Sequence, residues 1–153
     1  MTTPDAGRRG TSARTTLQTA ALAVGVVFLA VGVLGFIPGV TTNFSDMEFA
    51  THESEALLFG LFQVSVLHNI VHLLFGVAGI ALARSFRGAR NYLIVGGVIY
   101  LLLFLYSLLI GQESTANFVP VNPADDILHL ILGIGMVGLG LALSRRPDAR
   151  HGP

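Results

Sequence analysis

The chain has no cysteine, no tryptophan and no lysine among its 153 residues. Without cysteine it has no disulfides, thiolate metal ligands or thiol catalysis. Without tryptophan, Tyr92, Tyr106 and the phenylalanines are left to anchor any membrane interface. Charge of either sign is scarce: 12% of residues are charged, against roughly 25% in a soluble domain. Mean hydropathy is correspondingly high, at +0.70. Nucleotide-binding loops, nucleophile elbows and catalytic dyads are also missing, so no enzymatic activity is expected, and no nucleic-acid partner. Arginine as the sole strong base, beside abundant Gly, Ala and Val, suits a GC-rich bacterial genome.

What is there is a four-span apolar pattern. Spans are expected over about 17–37, 56–83, 92–110 and 124–144, within a transmembrane domain covering 15–146. The first, of 21 residues, would rise roughly 32 Å as a helix, enough to cross the hydrocarbon core. It is also too long for the apolar core of a cleaved signal peptide, about 7–15 residues. The polar ends, 1–14 and 147–153, are expected to be disordered cytoplasmic tails.

All nine arginines fall on one side of this pattern. Arg8, Arg9 and Arg14 precede span one, Arg84, Arg87 and Arg90 lie between spans two and three, and Arg145, Arg146 and Arg150 follow span four. The other two connections hold only acids: Asp46, Glu48, Glu53 and Glu55 in one, Glu113, Asp125 and Asp126 in the other. Short loops that stay in the cytoplasm retain Arg, and translocated loops lack it. The pattern therefore predicts an all-α four-transmembrane-helix bundle in a bacterial cytoplasmic membrane. Both termini would be cytoplasmic, with the arginine-rich face against anionic lipid head groups.

Span two is longer than a crossing needs. Its outer residues Leu57, Leu58, Phe59, Leu61 and Phe62 are too apolar for water, which predicts strong tilt or a break near Gly60 into an interfacial segment. A weak internal repeat accompanies the spans. Asn69-Ile70-Val71-His72-Leu73 with Gly76 matches Asp126-Ile127-Leu128-His129-Leu130 with Gly133, and Gly25-Val26-Val27-Phe28-Leu29 resembles Gly97-Val98-Ile99-Tyr100-Leu101. Asn43-Phe44 likewise matches Asn117-Phe118. The bundle is thus expected to be two similar helical hairpins about a pseudo-two-fold axis along the membrane normal.

The polar residues inside the spans are the candidate site. At 100° per residue Ser65, His68, Asn69, His72, Gly76 and Gly79 share one arc of span two, with Gln63 opposite. Asp125, Asp126, His129, Gly133, Met136 and Gly140 share a face of span four. Spans two and four are therefore expected to meet through their histidine faces. A hydrogen-bonded cluster of Gln63, His68, Asn69, His72, Asp126 and His129 that packs the bundle is one reading. With 16 Leu, Ile, Phe or Val residues, span two carries roughly 5–10 kcal/mol of insertion free energy and tolerates such groups. A small-ligand pocket opening outward under the acidic loops is the second, since intramembrane ionisable groups are costly and usually face a cavity. The alternative is a metal- or cofactor-binding redox or transport component, with His68, His72, His129 and Asp126 as ligands. A haem between His72 and His129 would want basic partners for its propionates, and the outer half offers only acids. No cofactor is favoured. Glycines in spans one and three could serve packing within the bundle or homo-oligomer formation.

Several stretches are similar to a known family. Gly35-Phe36-Ile37-Pro38-Gly39 with Asn43-Phe44, the run Leu61-Phe62-Gln63-Val64-Ser65-Val66-Leu67-His68-Asn69-Ile70-Val71-His72, then Asn117-Phe118-Val119-Pro120-Val121-Asn122 and Asp126-Ile127-Leu128-His129 resemble a bacterial family of small four-helix membrane proteins, domain of unknown function 4383. The resemblance spans about 17–143 and implies the four-helix membrane fold. It brings no activity, substrate or ligand with it.

Overall fold

The computed structural model describes residues 14–110 and 120–144. The tails expected to be disordered, and Asn117-Phe118 with Glu113, lie outside the described residues, apart from Arg14. Four α-helices are described: α1 (Thr16–Leu34), α2 (Val66–Leu82), α3 (Phe86–Ile110) and α4 (Pro123–Ala142). α1, α3 and α4 are each long and apolar enough to cross a membrane, and α2 is a shorter apolar helix. The protein is a four-helix membrane bundle.

Helix starts follow local chemistry. Thr15 caps α1 in a reciprocal capping box with Gln18. Asn122 does the same for α4 with Asp125, and Pro123 stands in the first turn, where its missing N–H costs nothing. Ser65 caps α2 by accepting from the His68 N–H at 3.1 Å. At the opposite end, the Gln18 side-chain amide donates to the Ala83 carbonyl at 3.2 Å, tying the start of α1 to the end of α2.

Span two differs from its expected bounds of 56–83. Only its last part is helical, from Val66. Residues 57–63 turn back as a hairpin, so the break near Gly60 is what occurs. β2 (Leu57–Leu58) pairs antiparallel with β1 (Thr41–Thr42) on one side and with β3 (Phe62–Gln63) on the other. At the turn Phe59 and Gly60 adopt left-handed backbone, φ 55° and 68°, which stops a helix. This small sheet is an addition to the all-α expectation. It lies over the end of the bundle, burying Ala56, Leu58 and Val64 against Val31 and Leu34. The loop between β1 and β2 also satisfies helix ends that lipid would leave unpaired: Val66 N–H donates to the Glu48 carbonyl and Leu67 N–H to the Phe49 carbonyl. Span three likewise starts earlier than 92, at Phe86, because Arg87, Arg90 and Asn91 continue the helix.

The tight helix pairs are α1 with α2 and α3 with α4; α1 approaches α3 more closely than α2 approaches α3. α2 and α4 sit across the long diagonal. Their expected direct packing does not occur, because the glycine faces serve the hairpins instead. A methyl group on Gly76 would meet backbone of Leu29 and Gly25, and one on Gly133 would meet Leu101 and the Gly97 carbonyl. These contacts are equivalent under the sequence repeat, which identifies each hairpin as a copy of the other. Phe28 and Tyr100, also equivalent, stack on one another with centroids 5.3 Å apart, as residues beside a two-fold axis would. Gly25, Gly32, Gly96 and Gly97 all pack inside the bundle.

Candidate functional site

Three of the expected site residues converge. His68 and His72, one turn apart at the start of α2, stack with ring centroids 4.4 Å apart. His129 reaches the same cavity from α4. Across the diagonal they are joined through aromatic rings of α1 and α3: His72 lies 5.4 Å from Phe28, and Tyr100 lies 5.3 Å from His129. Each such ring contact contributes about 0.5–1.5 kcal/mol beyond its burial. The helices that carry the histidines are thus held at a distance, with a cavity between.

That cavity has a volume of about 260 Å³, and its polar lining is Ser65, His68, His72, Tyr100 and His129. Leu67, Val71, Ile99 and Leu103 complete it. Val71 and Ile99 are both exposed on the bundle surface, so the cavity has a mouth along the seam between α2 and α3. A smaller recess of about 70 Å³ touches the same histidines from the α1–α4 side, below Leu58 and Phe62 of the hairpin.

The imidazole protons can be traced. His72 Nδ1 lies 3.0 Å from the His68 carbonyl; a carbonyl only accepts, so Nδ1 carries the hydrogen. His68 Nδ1 is buried without a partner. His129 Nδ1 is also buried and unpartnered.

The remaining expected members do not join this cluster. Gln63 sits in β3, where its amide donates to the carbonyls of Ser54 (2.7 Å) and His52 (3.1 Å). It holds the cap, not a ligand, because the chain has already left the helix there. Asn69 is buried against Gly35 of α1, with its amide toward the Met47 sulfur. Asp126 neighbours His129 but does not line the cavity, and one of its oxygens is buried unpaired. The metal shell of His68, His72, His129 and Asp126 is therefore not assembled: among the described residues no three His, Asp or Glu side chains are placed to hold one metal ion.

Sequence reasoning missed Phe28, Tyr100 and the pairing of Asn122 with Asp125, a residue it places only on the histidine face of span four. The repeat of Gly25–Leu29 in Gly97–Leu101 was the available signal for the first two, since it places Phe28 opposite Tyr100. Buried Asp125 accepts from the backbone N–H of both Gln63 and Asn122, each at 3.0 Å. Asn122 donates to the Leu61 carbonyl at 2.7 Å. The start of α4 is thereby fixed to the hairpin that roofs the histidines.

Fold and site together define a small membrane protein of four helices with an imidazole- and tyrosine-lined interior. The chain belongs to the family described as Domain of unknown function (DUF4383), whose model matches residues 18–142. No curated protein and no solved structure matches it.

Proposed function

We propose that this chain is a non-enzymatic protein of the bacterial cytoplasmic membrane that binds a small lipid-soluble ligand. Its polar group would occupy the cavity of His68, His72 and His129, and its apolar part would lie along the seam between α2 and α3. The observation that carries the reading is the composition of that cavity: a cluster of imidazoles and one tyrosine in an otherwise aliphatic recess, with a mouth toward the lipid-facing surface. Ligand pockets usually measure about 300–1,000 Å³; at about 260 Å³ this one suits a head group with its tail outside. Apolar grooves beside Leu102 and Tyr106 and beside Val95 and Ala78 continue the seam in both directions from Ile99. The same ring chain packs the bundle, so binding and stability share residues.

Both termini are placed in the cytoplasm in this proposal, with anionic lipids against the arginines. Arg14 and Arg84 belong to the end joined by the Gln18 to Ala83 bond, and the acids cluster at the roofed end.

The test is chemical analysis of protein purified in mild detergent. A stoichiometric apolar molecule should co-purify, and Ile99→Trp, which plugs the mouth, should remove it. A stoichiometric metal or a Soret band that disappears in His72→Ala and His129→Ala would replace this reading with the redox or transport alternative. If nothing co-purifies and the histidine substitutions lower only thermal stability, the cluster is structural.

A further inference from the structure

The hydrogen-bond pattern of the α2 histidines specifies which kind of polar group the cavity accepts. Resting on the ligand-binding reading above, we infer that the cavity selects a lipid-soluble molecule whose head donates a hydrogen bond, an alcohol or phenol, over one whose head only accepts. His72 spends its Nδ1 hydrogen on the His68 carbonyl. In a neutral imidazole the other nitrogen is then a lone-pair acceptor. His72 Nε2 is left to the cavity that its ring lines. His68 Nδ1, on the ring stacked 4.4 Å away, is buried with no protein partner.

An acceptor in an apolar recess wants a donor, because a buried acceptor without one keeps its full desolvation cost. A hydroxyl supplies that hydrogen. A carboxylate, a phosphodiester or a quinone carbonyl brings further lone pairs and no hydrogen, so each would face His72 Nε2 without a bond. His129 has no such commitment; its Nδ1 is unpartnered, and either tautomer is open to it. It and the hydroxyl of Tyr100, which also lines the cavity, can donate to the oxygen of the same hydroxyl, and discrimination rests on His72. The backbone carbonyl that sets the His72 tautomer belongs to the first turn of α2.

Matched probes separate this inference from the reading beneath it. 4-Decylphenol and 4-decylanisole share a ring and tail and differ in the donated hydrogen. Thermal stabilisation of the detergent-solubilised wild-type protein, titrated with each, gives their relative affinities. The phenol is expected to bind about tenfold more tightly than the anisole, the value of one buried hydrogen bond near 1.4 kcal/mol. Ile99→Trp should abolish stabilisation by the phenol, locating it in this cavity. In histidine-labelled protein, ¹⁵N spectra should show unprotonated Nε2 in His72, shifting on phenol addition. Equal affinity of the two probes, or a His72 carrying its hydrogen on Nε2, would overturn the donor preference and leave ligand binding standing. Absence of binding by both would remove the binding reading itself. Mass analysis of molecules extracted with the protein would then distinguish a hydroxyl on a membrane lipid from one on a smaller metabolite.

Discussion

A single methyl group added at Gly76 would sit 2.5 Å from the Leu29 backbone nitrogen, a distance that only movement of α1 against α2 can relieve. The equivalent addition at Gly133 meets the side chain of Leu101 at 2.6 Å, which can change rotamer, and the Gly97 carbonyl at 3.0 Å, which needs a smaller displacement than the Leu29 backbone. The repeat makes the two positions equivalent, but the atoms opposing them differ in stiffness. Gly76→Ala should therefore lower stability by about 1–3 kcal/mol, the range for overpacking, and Gly133→Ala by less. At Gly138 nothing lies within 4 Å, so Gly138→Ala should be neutral or gain up to about 0.5–1 kcal/mol from reduced backbone freedom. Thermal unfolding of the three variants in detergent gives the order directly. A Gly133→Ala cost equal to that of Gly76→Ala would show that Leu101 is locked and that the two hairpins pack with equal rigidity.

Among the elements, the roof over the histidines depends most on one carboxylate. Asp125 serves two backbone donors, one in its own cap and one in β3. Asp125→Ala strands both in a buried setting, at about 1–3 kcal/mol each if no water replaces the carboxylate. Amide exchange at Gln63 and Asn122 should then accelerate at least tenfold, while amides in the middle of α1 stay unchanged; uniform acceleration would mean global loosening instead of an unlatched roof. Ser65→Ala removes the corresponding cap on α2 and should cost about 1 kcal/mol, with exchange rising at His68. These elements also mark where the sequence stopped being legible. The four apolar spans, the Arg–acid alternation and the repeat could all be read because each extends over many residues. The hairpin could not, since β2 and β3 are two residues each, too short to show alternation, inside an uncharged run that reads as helix. The helical arc of α2 was correctly drawn but served two neighbours. Gly76 and Asn69 look toward α1, His68 and His72 toward the cavity, and a 100° arc cannot say which partner takes which edge. Tyr100 and Phe28 carried no polar signal that would set them apart from other core aromatics. Only their matching places in the repeat linked them to the imidazoles.

For the whole molecule, orientation is the property on which the ligand's route depends, and the absence of cysteine makes it directly measurable. Any introduced thiol is the sole one in the chain, so labelling by a membrane-impermeant maleimide reports a single site. Ser85 lies in the short connection between α2 and α3, beside Arg84, and Ser45 lies in the 3-10 turn Phe44–Asp46 of the roof. Neither packs in a buried cluster, and the bond that Ser85 Oγ accepts from the Gly88 N–H is a cap worth about 1 kcal/mol, so Ser85→Cys and Ser45→Cys should both still fold. In intact cells Ser45→Cys should react and Ser85→Cys should not; after permeabilisation both should. The physical reason is that three separate arginine groups favour the side that keeps Lys and Arg, whereas the acids add little to orientation either way. The bias thus comes from where arginine is missing as much as from where it is found. Moving two arginines into the roof, for example by Glu53→Arg and Glu55→Arg, should erode the asymmetry and yield a mixed population in which Ser85→Cys becomes partly reactive from outside. Reaction of Ser85→Cys in intact cells carrying the unaltered roof would reverse the assignment. The histidine cavity would then sit near the cytoplasmic leaflet, and a ligand would have to enter the seam between α2 and α3 from the inner lipid layer.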